Sequence, residues 1–269
     1  MQNINSLYPD NFKRYEAGKL EDKTGYIWGV AYLCRAMGHK KLIRFKAIGS
    51  FPNVLEKPEG VNGKWNQIFG NDNPITLELA CGKGEYSVGL GREHKDRNFI
   101  GVDIKGNRLH AGAKIALNEP IPNVRFLRAE IGHIREHFND GEVSEIWIIF
   151  PDPFLRDSKA KNRLTHPRFL HLYQKILNPG STINLKTDSK ELYDFTKETI
   201  AEEGCIIKED IVDIYGKGKA TGALAIQTFY EKMHLAEGRT IYYISFQLPE
   251  KEIILPERYR KNTDLVERG

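Results

Sequence analysis

From residue 74 onward the chain alternates strand-like with helix-like segments, and this alternation constrains its fold more than any other feature. Strands are expected at 75–79, 98–103, 124–127, 146–150, 182–185, 206–214 and 240–248. Helices are expected near 108–117, 134–138, 167–177 and 190–202. Repeated β-α units form a mostly parallel sheet with right-handed crossovers. The last two strands leave no room for a crossover helix of ordinary size, so we predict an α/β fold with an antiparallel last strand.

The helix that follows the fourth strand has the clearest boundaries. Thr165 can cap its amino end, and Pro167 suits its first turn because proline lacks the N–H that is unpaired there anyway. The sequence Asn-Pro-Gly at 178–180 ends it.

The fourth strand ends on the sequence Phe-Pro-Asp-Pro, residues 150–153. Residues 146–150 contain no polar side chain, which is typical of a parallel strand buried on both faces. Each proline fixes its own φ, and Pro153 also keeps Asp152 out of the helical region, so the backbone holds the Asp152 carboxylate in one direction. Open α/β sheets bind ligands at the carboxyl ends of their strands, which makes Asp152 a candidate for binding a polar ring. The alternative is a stiff turn with a solvated acid.

A glycine-containing loop joins the first strand to the first helix. Gly82 and Gly84 would let a ligand approach the backbone closely beside a helix start. Asp103 ends the second strand, where an acid commonly accepts hydrogen bonds from a ribose. Dinucleotide-binding dehydrogenases have a third glycine where this chain has Ser87. Glu78 before the loop and the acid after the fourth strand fit an adenosylmethionine site better.

Basic residues concentrate in two clusters, although the net charge of the 269-residue chain is only +4. The first cluster contains Arg35, Lys40, Lys41, Arg44 and Lys46. The second contains Arg156, Lys159, Lys161, Arg163 and Arg168. Two such clusters indicate a polyanionic partner, and the alternative is a solvated basic surface.

Several classes of protein are disfavoured by what the sequence contains. No apolar run is long enough to span a bilayer, and the amino terminus lacks the pattern of a secretory signal. The three cysteines are scattered, which favours a reducing cytoplasm over a disulfide framework. The sequence His-Ile-Arg-Glu-His at 133–137 matches an inverted zinc-protease pattern, but its helix is short and no third ligand is apparent. We therefore predict a cytoplasmic protein with no metal and no membrane contact.

Five motifs, in order, are similar to those of a known family. They are LELACGKGE at 77–85, FPDP at 150–153, RLTHP at 163–167, KTD at 186–188 and TFYE at 228–231. On these motifs the chain resembles the bacterial tRNA (guanine-N7)-methyltransferases from about residue 40 to residue 248. The resemblance implies a Rossmann-like class I methyltransferase fold with seven strands, S-adenosylmethionine as cofactor and tRNA as partner. It also implies methylation of N7 of the guanine at position 46, in the variable loop.

The same resemblance implies roles for single residues. The cofactor-side positions are Glu78, Asp103, Glu130 and Asp152. The substrate-contact positions are Arg156, Asp188, Thr228, Phe229, Tyr230 and Glu231. Asp103 would accept the ribose hydroxyls, Glu130 would face the adenine edge, and Asp152 is the family's proposed catalytic residue. Arg156 stands where a lysine is usual, which keeps the charge but not the geometry.

We predict three regions along the chain. They are an amino-terminal extension with a basic segment at 1–70, a methyltransferase domain at 71–249 and a charged tail at 250–269. Residues 1–36 have no counterpart in the resemblance and are interpreted as a lineage-specific addition or an artefact of start-site choice. A monomer and a homodimer both remain open.

Three other functions remain open at this point. The chain could be a class I methyltransferase acting on another RNA, a protein or a small molecule. It could be a non-catalytic RNA-binding module that has kept the fold. It could be a zinc hydrolase using His133 and His137.

Overall fold

One sheet of eight strands organises residues 41–255, the part of the chain that the computed structural model describes. The strands are β1 (Val54–Glu56), β2 (Ile75–Leu79), β3 (Asn98–Val102), β4 (Val124–Arg128), β5 (Val143–Ile149), β6 (Leu177–Thr187), β7 (Ile206–Ile211) and β8 (Tyr242–Gln247). Their order across the sheet is β1-β4-β3-β2-β5-β6-β8-β7. The chain divides into two units, residues 1–41 and 42–269, and everything described below from residue 42 onward belongs to the second.

The strand directions confirm the predicted α/β fold. All neighbouring strands from β1 to β6 are parallel, and β8 runs antiparallel to both β6 and β7. The seven predicted strands are all present. The three-residue strand β1, which pairs with β4, is an eighth that the sequence analysis did not predict.

Seven helices pack around this sheet within the described residues. They are α1 (41–48), α2 (Trp65–Phe69), α3 (Glu85–Glu93), α4 (Gly106–Asn118), α5 (Pro167–Ile176), α6 (Lys190–Glu202) and α7 (Phe229–Ala236). Short 3-10 helices span Ile131–Glu136, Asp157–Asn162 and Gly222–Ala225. Helix α7, eight residues long, was not among the helices expected from the sequence.

The amino end of α5 corrects one prediction. Its cap is His166, whose Nδ1 accepts a hydrogen bond from the backbone N–H of Arg168 at 3.1 Å, and not Thr165. The hydroxyl of Thr165 instead bonds to Thr196 on α6 at 2.8 Å, in a buried contact. Pro167 occupies the first helical position, as predicted.

The sheet separates two apolar cores, one on each face. Along β5, Ile146 and Ile148 belong to one core, whereas Trp147 and Ile149 belong to the other. This alternation follows because successive side chains of a strand point to opposite faces. Burial on both faces explains why β5 has no polar side chain from Ile146 to its end, as expected from the sequence, whereas Ser144 and Glu145 near its start are only partly buried.

The chain turns back over α3 after the edge strand β7. The predicted sixth strand extended to residue 214, but β7 ends at Ile211 and Asp213 has a left-handed backbone with φ of 66°. That conformation breaks the extended run. The segment that follows reaches α3, where the Tyr86 hydroxyl donates a hydrogen bond to the carbonyl of Ala223 at 2.5 Å.

Candidate active site

Five neighbouring parallel strands deliver the predicted site residues to one edge of the sheet. Across β4-β3-β2-β5-β6, the carboxyl ends are followed in turn by Glu130, Asp103, the glycine loop, Asp152 and Asp188. Because the carboxyl ends of parallel strands meet at the same edge, residues far apart in sequence lie along one line. The topology thus provides a row of carboxylates on both sides of the glycine loop.

The glycine loop is built on left-handed backbone. Ala80, Gly82 and Gly84 have φ values of 55°, 56° and 67°. A Cβ on Gly84 would lie 2.2 Å from the Phe126 ring, so this position requires glycine for packing. A Cβ on Gly82 would meet nothing within 4 Å, so the loop has an open side there. A ligand can approach the Gly82 backbone from that side.

Asp103 connects this loop to the end of β3. Its Oδ2 accepts a hydrogen bond from the backbone N–H of Gly82 at 2.9 Å, and its Oδ1 accepts one from Lys105 at 2.7 Å. The residue is 7% exposed. A carboxylate oxygen can accept more than one hydrogen bond, so the fixed Asp103 still has acceptor capacity for two adjacent hydroxyls. This geometry fits a ribose.

Glu78 lies beneath the loop. Its Oε2 accepts hydrogen bonds from the backbone N–H of Ser87 at 2.7 Å and from the Ser87 hydroxyl at 2.5 Å. Burial raises the pKa of Glu78 to about 8, and the Ser87 donors offset only part of that rise. Glu78 therefore holds the first turn of α3 against β2, largely in its protonated form at neutral pH.

A cavity of about 530 Å³ lies at the ends of β5 and β6. Three predicted site residues, Asp152, Asp188 and Tyr230, line it together. The Asp152 side chain is exposed, and its Oδ1 accepts a hydrogen bond from the backbone N–H of Phe154 at 3.2 Å. The structure thus brings the predicted catalytic acid and two predicted substrate contacts to one opening.

Arg163 supports the loop that carries Asp152. Its Nε donates to the carbonyl of Pro153 at 3.1 Å and its Nη2 to the carbonyl of Phe154 at 3.2 Å, while the guanidinium lies 4.5 Å from the centre of the Phe195 ring. The residue is 7% exposed. Arg163 belongs to the second basic cluster, and the prediction of a polyanion contact is wrong for it because its guanidinium is buried and already paired.

The segment Thr228–Glu231 begins α7 and divides into a buried and an exposed half. Thr228 and Glu231 form a reciprocal cap, in which each side chain accepts a hydrogen bond from the other's backbone N–H. Glu231 is fully buried, and its Oε1 lies 2.6 Å from Nζ of the equally buried Lys186. Glu231 therefore does not reach the cavity, because its carboxylate is enclosed and paired.

The exposed half of this segment lies beside the glycine loop. The backbone N–H of Phe229 donates to the Glu85 carboxylate at 3.0 Å, and Lys83 Nζ lies 4.0 Å from the centre of the Phe229 ring. Tyr230 is 47% exposed and lines the 530 Å³ cavity. These contacts bring the predicted substrate segment next to the predicted cofactor loop.

Glu130 and Arg156 lie outside the 530 Å³ cavity. Glu130 lines a separate cavity of about 370 Å³ with His133 and His137. Arg156 is exposed and precedes the 3-10 helix that starts at Asp157. His133 pairs with Glu136 at 2.8 Å, and within residues 41–255 no group of three or more histidine, cysteine, aspartate or glutamate side chains is arranged to hold a metal ion.

The remaining members of the basic clusters that the structure describes are exposed, except for the half-buried Arg168. Lys159 and Lys161 are exposed, as are Lys41, Arg44 and Lys46. Arg35 and Lys40 lie outside the described residues. Among the helices that the structure describes, none combines the length and the apolar character needed to cross a bilayer.

Sequence comparison assigns the chain to a family. A family profile described as "Putative methyltransferase" matches residues 72–254. The tRNA (guanine-N(7)-)-methyltransferase of Porphyromonas gingivalis is 46% identical over 231 residues, which cover 78% of this chain and 94% of that protein. The chain belongs to the tRNA (guanine-N7)-methyltransferase family. The relative of the same name from Christiangramia forsetii is 44% identical over 79% of this chain and 100% of its own length.

A more distant member agrees with this assignment, and two solved structures share the fold. The family member from Streptococcus thermophilus is 32% identical over 73% of this chain and 91% of its own length. The 16S rRNA methyltransferase KamB has a similar fold, with a TM-score of 0.55 at 15% identity over 73% of this chain and 99% of that one. The 16S rRNA (adenine(1408)-N(1))-methyltransferase from Catenulisporales acidiphilia gives 0.52 at 14% identity over 70% and 93%. These two likenesses show the α/β methyltransferase fold.

Proposed function

We propose that this protein transfers the methyl group of S-adenosylmethionine to N7 of the guanine at position 46 in the variable loop of tRNA. The observation that carries the proposal is the shared sheet edge, where Asp103 and the open side of Gly82 follow β3 and β2, and Asp152 and Asp188 of the 530 Å³ cavity follow the neighbouring strands β5 and β6. Membership of the tRNA (guanine-N7)-methyltransferase family supports the reaction and the substrate.

The residues on the glycine-loop side fit the proposed cofactor. Asp103 would accept the two ribose hydroxyls, the open side of Gly82 would admit the ligand, and Glu130 would face the adenine edge from the end of β4. Glu78 would act from beneath, by holding the start of α3. When bound, S-adenosylmethionine supplies an electrophilic methyl group on a positively charged sulfur.

Asp152 is the proposed catalytic residue. Guanine N7 carries a lone pair, so no proton has to leave before attack and no strong base is required. Positive charge develops on the base during transfer, and the Asp152 carboxylate would stabilise it from the N–H edge of the ring. Most of the rate should come from holding N7 in line with the methyl carbon. Asp188 and Tyr230 line the same cavity and would position the base.

Glu231 receives a supporting role in this proposal. The resemblance implied a substrate contact for Glu231, but its carboxylate is enclosed with Lys186. We assign the assisting acid to Asp188 alone. Thr228 and Glu231 then hold α7 so that Phe229 and Tyr230 stay exposed beside the cavity.

The exposed basic residues would bind tRNA phosphates. Arg156 caps the short helix that follows the Asp152 loop, and Lys159 and Lys161 lie on that helix. This position would place the tRNA backbone beside the cavity.

We further propose a cytoplasmic enzyme whose methyltransferase domain spans 71–249, flanked by the extension at 1–70 and the tail at 250–269. Strand β1 of the sheet lies in the residues assigned to the extension. A monomer and a homodimer remain the two expected assemblies.

One experiment tests this function. The protein is incubated with methyl-labelled S-adenosylmethionine and unmodified tRNA, the tRNA is digested, and the labelled nucleoside is identified and mapped. The expected product is 7-methylguanosine at position 46, with no label in a tRNA carrying adenine at that position. Label in another nucleoside, in protein or in a small molecule would assign the site to one of the alternative methyltransferase functions. Absence of transfer to any acceptor would contradict the proposal.

A further inference from the structure

The Asp188 carboxylate is held by two side chains from α7 and the turn after it. Its Oδ2 lies 2.7 Å from Nη1 of Arg239 and 3.3 Å from Nδ1 of His234. The Asp188 side chain is 16% exposed. All three residues line the 530 Å³ cavity. Neither His234 nor Arg239 belongs to the motifs from which the site was predicted.

The two acids of the cavity therefore differ in their surroundings. Within residues 41–255, Asp152 forms no ion pair, and the hydrogen bond that it accepts comes from the uncharged backbone N–H of Phe154. Asp188 has a guanidinium at hydrogen-bond distance. The Asp188 carboxylate is thus paired with the Arg239 cation, whose Nη2 also lies 2.7 Å from the Glu237 carboxylate, whereas the Asp152 carboxylate has no cationic partner among the described residues.

His234 contacts the loops of both acids. Its ring meets the Phe150 ring edge-on, with 5.6 Å between the centroids, and Phe150 lies two residues before Asp152. Its Nδ1 is buried and, in the part of the chain that the structure describes, has no well-aligned hydrogen bond, although Asp188 Oδ2 is its near neighbour. One imidazole thus spans the space between the two acid loops.

A buried ion pair attaches helix α7, which carries His234, to strand β6. Glu231, one turn earlier in the helix, is paired with Lys186, two residues before Asp188, and both side chains are fully buried. Lys186 also donates hydrogen bonds to the carbonyls of Leu224 and Ile226. Helix α7 is therefore bound to β6 through Glu231, and it contacts Asp188 one turn later through His234.

We propose that His234 and Arg239 are positioning residues that orient Asp188 toward the bound base and balance its charge. Asp188 then acts as a directed hydrogen-bond acceptor that selects guanine, and Asp152 supplies the uncompensated negative charge that the transfer requires. This inference rests on the proposed function.

Kinetics of single and double variants test it. The variants are Arg239→Met, Arg239→Lys, His234→Phe, Asp188→Asn and the doubles R239M/D188N and H234F/D188N. His234→Phe keeps an aromatic ring against Phe150 and removes both ring nitrogens. We expect R239M to lower kcat/KM for tRNA by about tenfold, the scale of one charge-assisted hydrogen bond, with R239K retaining most activity. H234F should lower kcat/KM for tRNA several-fold. Affinity for S-adenosylhomocysteine, measured by calorimetry, should stay unchanged.

The double variants separate positioning from a general structural effect. If His234 and Arg239 act through Asp188, each double variant is no slower than D188N alone. A matched control is Arg92→Met, which removes an equally exposed arginine paired with Glu119 on the surface, and it should keep wild-type kinetics. If the losses in kcat/KM of the single variants multiply in the double variants, the inference is overturned. It is also overturned if the loss in kcat/KM merely follows the fraction of unfolded protein seen in thermal melts. An inactive wild-type protein would instead refute the proposed function, and the inference with it.

Discussion

Asp152 is held by backbone that most residues avoid. Phe150 and Phe154, on either side of it, have positive φ values of 46° and 43°. Non-glycine residues in this region cost on the order of 1–3 kcal/mol each, and such strain concentrates at functional sites. The buried Arg163 holds the two carbonyls that follow Asp152 in this conformation. The strained loop thus holds the exposed Asp152 carboxylate in a fixed position.

The first prediction at this scale concerns Asp152→Asn. The substitution keeps the size and the Phe154 hydrogen bond but removes the negative charge, so kcat for tRNA methylation should fall by about 100-fold or more. Cofactor affinity and melting temperature should change little, because Asp152 is exposed and has no ion pair among the described residues. Turnover near the wild-type rate would remove Asp152 from the mechanism.

The second prediction concerns the pH dependence of stability through Glu78. Its pKa is raised by burial from 4.5 to about 8, so between these values the unfolded chain ionises while the folded chain keeps the proton. Glu78 therefore contributes stability that is fully present below pH 4.5 and is lost as the pH rises toward 8. Glu78→Gln should remove this loss, so the free energy of unfolding in urea should favour the variant increasingly as the pH rises. A constant difference between the two proteins across this window would contradict the assignment.

At the scale of elements, α7 connects the two halves of the site. Its amino end lies against the glycine loop through Phe229, and its middle is bound to β6 through Glu231 and Lys186. Burying two charges is costly unless they are paired, so this pair makes the position of α7 specific and sensitive to the loss of either partner. The buried pair therefore ties α7 to strand β6.

Lys186→Met tests the strength of this connection. The variant leaves the Glu231 carboxylate buried without its partner, and the free energy of unfolding should fall by about 3–5 kcal/mol. The matched control is Lys197→Met, which removes a partly exposed ion pair with Asp210 and should cost no more than about 1 kcal/mol. Urea unfolding of both variants gives the comparison. Equal stability of the two would show that the buried pair does not hold α7.

At the scale of the whole molecule, an exposed basic surface follows directly on the acids of the sheet edge. The acids lie at the carboxyl edge of the sheet, whereas Arg156, Lys159 and Lys161 are exposed on the short helix next to it. An RNA backbone would be attracted to the basic surface while the acids remain available to a single base.

Salt dependence measures the number of phosphates that this surface binds. We expect log Kd for tRNA to rise steeply with log salt concentration. Neutralising Arg156, Lys159 and Lys161 together should reduce the slope by about one for each phosphate that the variant no longer binds. Cofactor affinity, measured in parallel, should not change. A complex insensitive to salt would argue against phosphate binding.

Much of the fold was predictable because it depends on local patterns. Helix α6 spans Lys190 to Glu202 and β2 spans Ile75 to Leu79 as predicted, since periodicity and end signals act over a few residues. Strand β1 escaped prediction because three residues carry no periodicity, and its existence depends on the exposed edge of β4. The cap of α5 was wrong because Thr165 had a second possible partner, Thr196, that only the packing of α6 supplies.

The sequence by itself determined the alternating elements, the sheet edge with Asp103, Asp152 and Asp188, and the family. These depend on short-range order and on motifs that keep their spacing. Only the tertiary structure decided that Glu231 is enclosed with Lys186, that Arg163 holds a loop and that His234 and Arg239 meet Asp188. The physical reason is that burial and pairing are properties of the folded chain. The same charged side chain binds a ligand when exposed and supports the fold when enclosed.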